Sequence, residues 1–163
     1  MGVTIRMITQ SRWLDTPPWL PAGGVPADSI TDLKTSGNVL SLFVLPSDDD
    51  TALLRLAAAM VAKRDRLGHF EYFEFLESEL LRLTLKVVQS RGDTCDDVVN
   101  TWHVNLVELD GNRLLALTGF LRSLKAGRLF KPEVAAEIAV GVKQGRFSRE
   151  PKCIDEMRKN GLL

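Results

Sequence analysis

Asn38–Leu45 reads NVLSLFVL, a nearly unbroken apolar run held between Gly37 and Pro46. A run of this length in Val, Leu and Phe fits a strand whose two faces are both covered, which places it inside a sheet. After it, Ser47–Asp50 supplies cap side chains and negative charge for a helix running to about Arg64, where Lys63, Arg64 and Arg66 suit the negative end of the dipole. Leu53, Ala57, Met60 and Val61 share one face of that helix. Gly68 breaks the chain, and HFEYFEF at His69–Phe75 alternates in type with aromatic strand formers. Strand, helix and strand make a βαβ unit over about 38–76. Such a crossover predicts parallel, neighbouring strands and a right-handed connection. The expected class is α/β or α+β, a small sheet covered by helices.

Working outward, Val3–Ile8 has the β-branched character of a further strand. Residues 12–27 carry WLDTPPWLPAGGVP, whose four prolines and adjacent glycines sustain neither a helix nor a central strand, so this is a loop or arm. Asp28–Thr35 predicts a short helix ending before Gly37. Downstream of the unit, Leu80, Leu83 and Val87 predict a helix over Glu77–Ser90 that stops at Gly92. Residues 93–119 read two ways. Val98, Val99, Trp102, Leu106 and Leu109 have helical spacing, which favours a pair of helices, whereas Asp110–Gly111 between apolar runs is a hairpin signal. Leu114, Leu117, Leu121 and Leu124 continue as a helix to Lys125. Pro132 with Gly145, and Pro151 with Gly161, bracket two more, so the C-terminal half is predicted to be helical.

The 163 residues suit a single globular domain over 1–163, and 45% hydrophobic content is ordinary for a folded chain. Lys and Arg number 21, as do Asp and Glu, so no net field draws the chain to nucleic acid or to a membrane surface. No stretch approaches the ~20 apolar residues of a membrane span. Arg6, Gln10, Arg12 and Asp15 interrupt the N-terminus where a secretory signal would be apolar. Cys95 and Cys153 have no CxxC spacing, which argues against a disulfide framework or a cysteine-rich zinc site and suits two thiols in a reducing cytoplasm. A soluble, cytoplasmic protein is expected, with no membrane contact.

Chemistry-bearing residues are sparse. Ser47 and Asp48, with Asp49 and Asp50, stand where a strand meets a helix N-terminus, the crevice in which open sheets take ligands, and could hold Mg²⁺ with a phosphate. His69, sharing a strand face with Glu71, is the candidate acid–base group beside it. Capping and dipole compensation are the favoured reading of the aspartates, since adjacent carboxylates cannot all point at one ion. No GxSxG, GxxxxGK[ST], GxGxxG or HExxH motif is present, so no cofactor or metal is assigned and the chain leans away from an enzyme.

Charge is unevenly placed. Residues 1–110 carry 10 basic and 16 acidic side chains, and residues 111–163 carry 11 and 5. Arg122, Arg128, Arg146 and Arg149 belong to the basic part, where two bracketed helices resemble a helix-turn-helix layout. A strongly basic face is the usual footprint of nucleic-acid binding, so that reading ranks below self-association or a protein partner. Trp13 and Trp19 lie among the prolines of the arm, and tryptophan on a stiff backbone is a common binding anchor. The leading expectation is a non-catalytic protein–protein interaction protein, such as an adaptor, accessory subunit or inhibitor. It would use Trp13, Trp19 and the four arginines, with homo-oligomerisation as another use of the charge asymmetry. The alternatives are a ligand-binding enzyme at residues 46–50 and nucleic-acid binding by the basic helices.

Overall fold

The structure, a computed structural model, describes residues 2–14, 17–33, 35–46, 49–148 and 150–163. In chain order the elements are β1 (Val3–Met7), α1 (Ser11–Leu14), α2 (Ala27–Asp32), β2 (Leu40–Leu45), α3 (Asp50–Val61), β3 (Phe70–Leu76) and α4 (Glu77–Arg82). There follow β4 (Lys86–Gln89), α5 (Asp97–Asn100), β5 (His103–Val107), α6 (Gly111–Arg122), β6 (Gly127–Leu129), α7 (Lys131–Lys143) and α8 (Pro151–Lys159). The fold is α+β, with an antiparallel six-stranded sheet in the order β4–β5–β2–β1–β3–β6. The chain divides into two compact units: Met1–Val44, Glu71–Gln89 and Val104–Gly127 form the first, and Leu45–Phe70, Ser90–His103 and Arg128–Leu163 the second. Among the described residues no helix is long and apolar enough to cross a membrane.

Within NVLSLFVL, Leu40–Leu45 forms β2, an interior strand. Leu40 and Leu42 enter the main core cluster of the first unit, while Phe43 and Leu45, pointing the other way, are buried as well. The βαβ unit exists, but its strands are not neighbours. β1 lies between β2 and β3 and pairs antiparallel with β3, from Val3 opposite Leu76 to Met7 opposite Tyr72. Ile8 N–H to Glu71 C=O (2.9 Å) and Glu77 N–H to Gly2 C=O (3.1 Å) extend that ladder at both ends. A crossover requires only that its two strands enter one sheet, and the β-branched VTIRM segment occupies the gap.

Two further expectations are corrected. The helix predicted over residues 77–90 ends at Arg82. Thr84 adopts φ +54°, and Lys86–Gln89, with two adjacent valines, becomes β4. Leu83 and Val87 still pack on the core, through a helix cap and a strand rather than along one helix. Residues 93–119 form neither a helix pair nor a hairpin. A single turn, α5, leads to β5, which pairs with β4 from Lys86 opposite Val107 to Gln89 opposite Val104. The Asp110–Gly111 turn signal is instead a helix start: Asp110 accepts the Arg113 N–H at 2.8 Å and caps α6. The helices expected to start at Pro132 and Pro151 are α7 and α8, with each proline in the first turn.

In the second unit α3 packs on α7 and α5. Arg55 of α3 grips the buried Asp96 with two hydrogen bonds (2.7 and 2.9 Å), while Asp96 also accepts the Val98 and Val99 N–H groups that begin α5. The cysteines are joined. Cys95, before α5, and Cys153, in α8, form a fully buried disulfide across 58 residues of sequence, with Cα atoms 5.8 Å apart. Two distant cysteines carry no spacing signal, so the reading of separate thiols is corrected by the fold that juxtaposes them.

Candidate functional site

The Trp/Pro arm belongs to the first unit, and its residues other than Asp15 and Thr16 are among those the structure describes. Its root is Trp13, on the single-turn α1. The indole is buried, meets Phe73 of β3 edge to face at 4.9 Å, and donates from Nε1 to Asp32 Oδ2 at 2.8 Å. Asp32, at the end of α2 and itself buried, accepts the Thr9 N–H through the same oxygen at 2.7 Å, with the Arg12 guanidinium 3.8 Å from Oδ1. Arg6 lies close by. It donates to the carbonyls of Ser41 (2.9 Å), Leu33 (2.5 Å) and Asp32 (3.3 Å). Burial lowers the Arg6 pKa to about 10, opposed by the charge of Asp32.

Beyond the root the chain makes two turns. Leu20 N–H donates to Pro17 C=O at 2.9 Å, and Gly24 N–H to Pro21 C=O at 2.8 Å. Pro18 stands at the second position of the first turn, where its fixed φ fits. Gly23, at φ +77°, supplies the left-handed third position of the second. Leu20 folds back over Gly24, where a Cβ would come within 2.8 Å of Leu20 Cγ. Arg122 of α6 donates to the Gly24 carbonyl and fixes the far side of the loop. The result is a fixed turn that holds Trp19 outward with 76% of its surface exposed, flanked by the exposed Pro18 and Pro21.

The other sequence-predicted residues fall elsewhere. Ser47, Asp48 and Arg149 lie outside the described residues. Asp49, beside the first two, accepts the Ala52 N–H at 2.8 Å and caps α3. His69 accepts the Lys131 N–H at Nδ1 (3.2 Å) and meets Phe130 edge to face at 5.6 Å, which ties it to the start of α7. Arg146 is half-buried and paired with Glu137 at 2.6 Å, and Arg128 is exposed on β6. Trp13 and Arg122 thus hold the arm, Trp19 is presented by it, and Arg146 supports the turn after α7. Among the described residues no group of three or more His, Cys, Asp and Glu side chains could hold a metal ion. Sequence reasoning missed Asp32, because nothing local to an acidic residue at a helix end signals that an indole 19 residues away will dock on it. No protein-family model, characterised protein or solved structure matches the chain.

Proposed function

We propose that this is a non-catalytic interaction protein that inserts the Trp19 indole into an apolar slot on a protein partner. One observation carries the reading: a large aromatic side chain is exposed on a turn closed by the Leu20–Pro17 backbone bond and followed by a second turn that Gly23 shapes and Arg122 holds. Docking a preorganised tryptophan costs little conformational entropy, and buried tryptophans dominate many interfaces. The partner chemistry that fits is an apolar pocket with a carbonyl to receive the indole N–H.

The other readings have less support. Asp49 is used on its own helix and His69 on α7, and the hollow beside Pro46, Asp49, Thr51 and Arg55 is not lined by His69, which leaves the ligand-site alternative at residues 46–50 with less support. Arg122 and Arg146 serve internal contacts, which weakens a phosphate-binding role. A cytoplasmic location fits less well with a buried disulfide, since such bonds persist mainly in oxidising compartments. Counting free thiols in protein from its native source decides that point.

The test is photo-crosslinking from position 19 in native extract, followed by affinity measurement between the purified partner and each variant. Trp19→Ala should weaken binding by roughly thirtyfold or more, the effect of a ~2 kcal/mol hot spot, with an unchanged melting temperature. Trp13→Ala should instead lower the melting temperature. Full affinity for the Trp19→Ala protein, or no adduct from position 19, would overturn the reading.

A further inference from the structure

A cavity of about 460 Å³ lies in the second unit, between the end of α7, the turn after it and α8. That volume is in the range of small-molecule sites. Val142, Phe147, Ile154 and Met157 make its walls apolar. Two polar side chains join them, Ser148 and Arg158, and both offer protons. Ser148 Oγ accepts the Glu150 N–H at 3.2 Å, which leaves its own hydroxyl proton to donate. The guanidinium of Arg158 makes no hydrogen bond or ion pair with any described residue, whereas Arg55, Arg82, Arg91 and Arg146 each have a carboxylate. An apolar hollow with donors, and with no Asp or Glu side chain among its lining residues, is complementary to a body of hydrocarbon ending in an anion.

The walls are fixed before any ligand arrives. Both hang from Cys95: its carbonyl accepts the Ser148 N–H at 2.6 Å, and its sulfur is bonded to Cys153 of α8. Gly141 lets the Phe147 ring lie against α7, where a Cβ would come within 2.7 Å of it, and Gly145 turns the chain at φ +65°. The Arg146–Glu137 pair holds that turn to α7. A preformed hollow binds without first ordering its walls.

The geometry points to a binding site for a small amphiphilic anion, a medium-chain or aryl carboxylate. Its carboxylate would pair with Arg158 and Ser148, and its hydrocarbon would lie among Val142, Phe147, Ile154 and Met157. The lining residues belong to the second unit and Trp19 to the first, and either proposal stands without the other.

Decanoate is the probe, titrated into the full, oxidised chain carrying ¹³C-methyl methionine, with calorimetry in parallel. The expected result is saturable one-to-one binding with a shift of the Met157 methyl signal. Arg158→Gln should weaken binding roughly tenfold or more, as loss of a charge-assisted hydrogen bond does, and neutral decanol should bind correspondingly less well than decanoate. Ile154→Trp should abolish binding by filling the hollow. Val142→Phe serves the same purpose should Ile154→Trp fail to fold, and each variant's melting curve is recorded. No saturable shift at Met157, or Arg158→Gln binding decanoate as the parent does, would overturn the proposal. Equal affinity for decanol would also overturn it, since that is the behaviour of a slot for a partner's apolar side chain.

Discussion

Breaking the Cys95–Cys153 bond should cost about 4 kcal/mol of stability, on the chain-entropy account of a crosslink that closes a 58-residue loop. The bond acts chiefly on the unfolded chain, which it holds closed, so the figure depends on loop length rather than on contacts made in the fold. For a chain of 163 residues, 4 kcal/mol corresponds to a fall of roughly 8–16 °C in melting temperature. The comparison needs three samples in urea, followed by circular dichroism: oxidised protein, the same protein under a phosphine reductant, and Cys95→Ala/Cys153→Ala. Reduction isolates the crosslink, because both sulfur atoms stay in the core. The double variant also loses their packing and should lie below the reduced protein by a further ~1–2 kcal/mol. Thiol titration should find no free thiol in the oxidised native protein and two after reduction. Coincident unfolding curves for the oxidised and reduced samples would refute the entropy argument, and two titratable thiols in unreduced, denatured protein would refute the bond.

Further outcomes follow from single residues. Gly119 sits inside α6 with open space where its Cβ would be, so Gly119→Ala should raise stability by about 0.5–1 kcal/mol in thermal melts; Gly141→Ala, meeting the Phe147 ring, should lower it. Arg55→Ala strands the buried Asp96 carboxylate and should cost about 3 kcal/mol, read from the urea midpoint, with Arg55→Ala/Asp96→Asn recovering part of the loss. His103 is buried, with Nδ1 2.7 Å from Ser90 Oγ, and burial lowers its pKa below 6.5. As pH falls through 6.5 the unfolded chain takes up this proton first. Stability is therefore full above that pH and declines below it, and His103→Gln should reduce that part of the slope in urea midpoints measured across pH 5–8.

The core elements were legible where one local signal sufficed. NVLSLFVL reads as an interior strand because the apolar run is short for a helix and is closed off by Gly37 and Pro46. The prolines in the first turns of α7 and α8 and the aspartates before α3 and α6 announce helix starts through chemistry confined to a single turn. The errors arise where one pattern satisfies two structures. Leu80, Leu83 and Val87 lie at helical spacing and all reach the core, yet Thr84 in the left-handed region divides them between α4 and β4. Valines at 87, 88, 98 and 99 carry opposite outcomes: the first pair pleats against β5, while the second coils because Asp96 supplies both its cap and a partner for Arg55. Strand adjacency is set by long-range pairing, and no feature of residues 38–76 announces that Val3–Met7 will separate β2 from β3.

The candidate site shows the same division at the level of single side chains. Trp13 and Trp19 lie in one proline-rich segment with equivalent local claims to bind a partner, and composition cannot separate them. A buried acceptor does. Asp32 takes the Trp13 N–H, so that indole is satisfied inside the core beside Phe73, and turning it outward would leave a buried carboxylate short of a donor. Trp19 has no such tether, and the two turns around it are closed by backbone bonds and by Arg122 reaching Gly24 from 98 residues away. The exposure of Trp19 is thus a consequence of how the loop is closed, and its hydrocarbon surface remains in water at a cost that an apolar slot on a partner would relieve. Arg158 is singled out in the same way, by what surrounds it. On sequence alone it is one of several cations near a helix end, and only the fold, by placing it on an apolar hollow lined by no Asp or Glu side chain, distinguishes it from the arginines already paired.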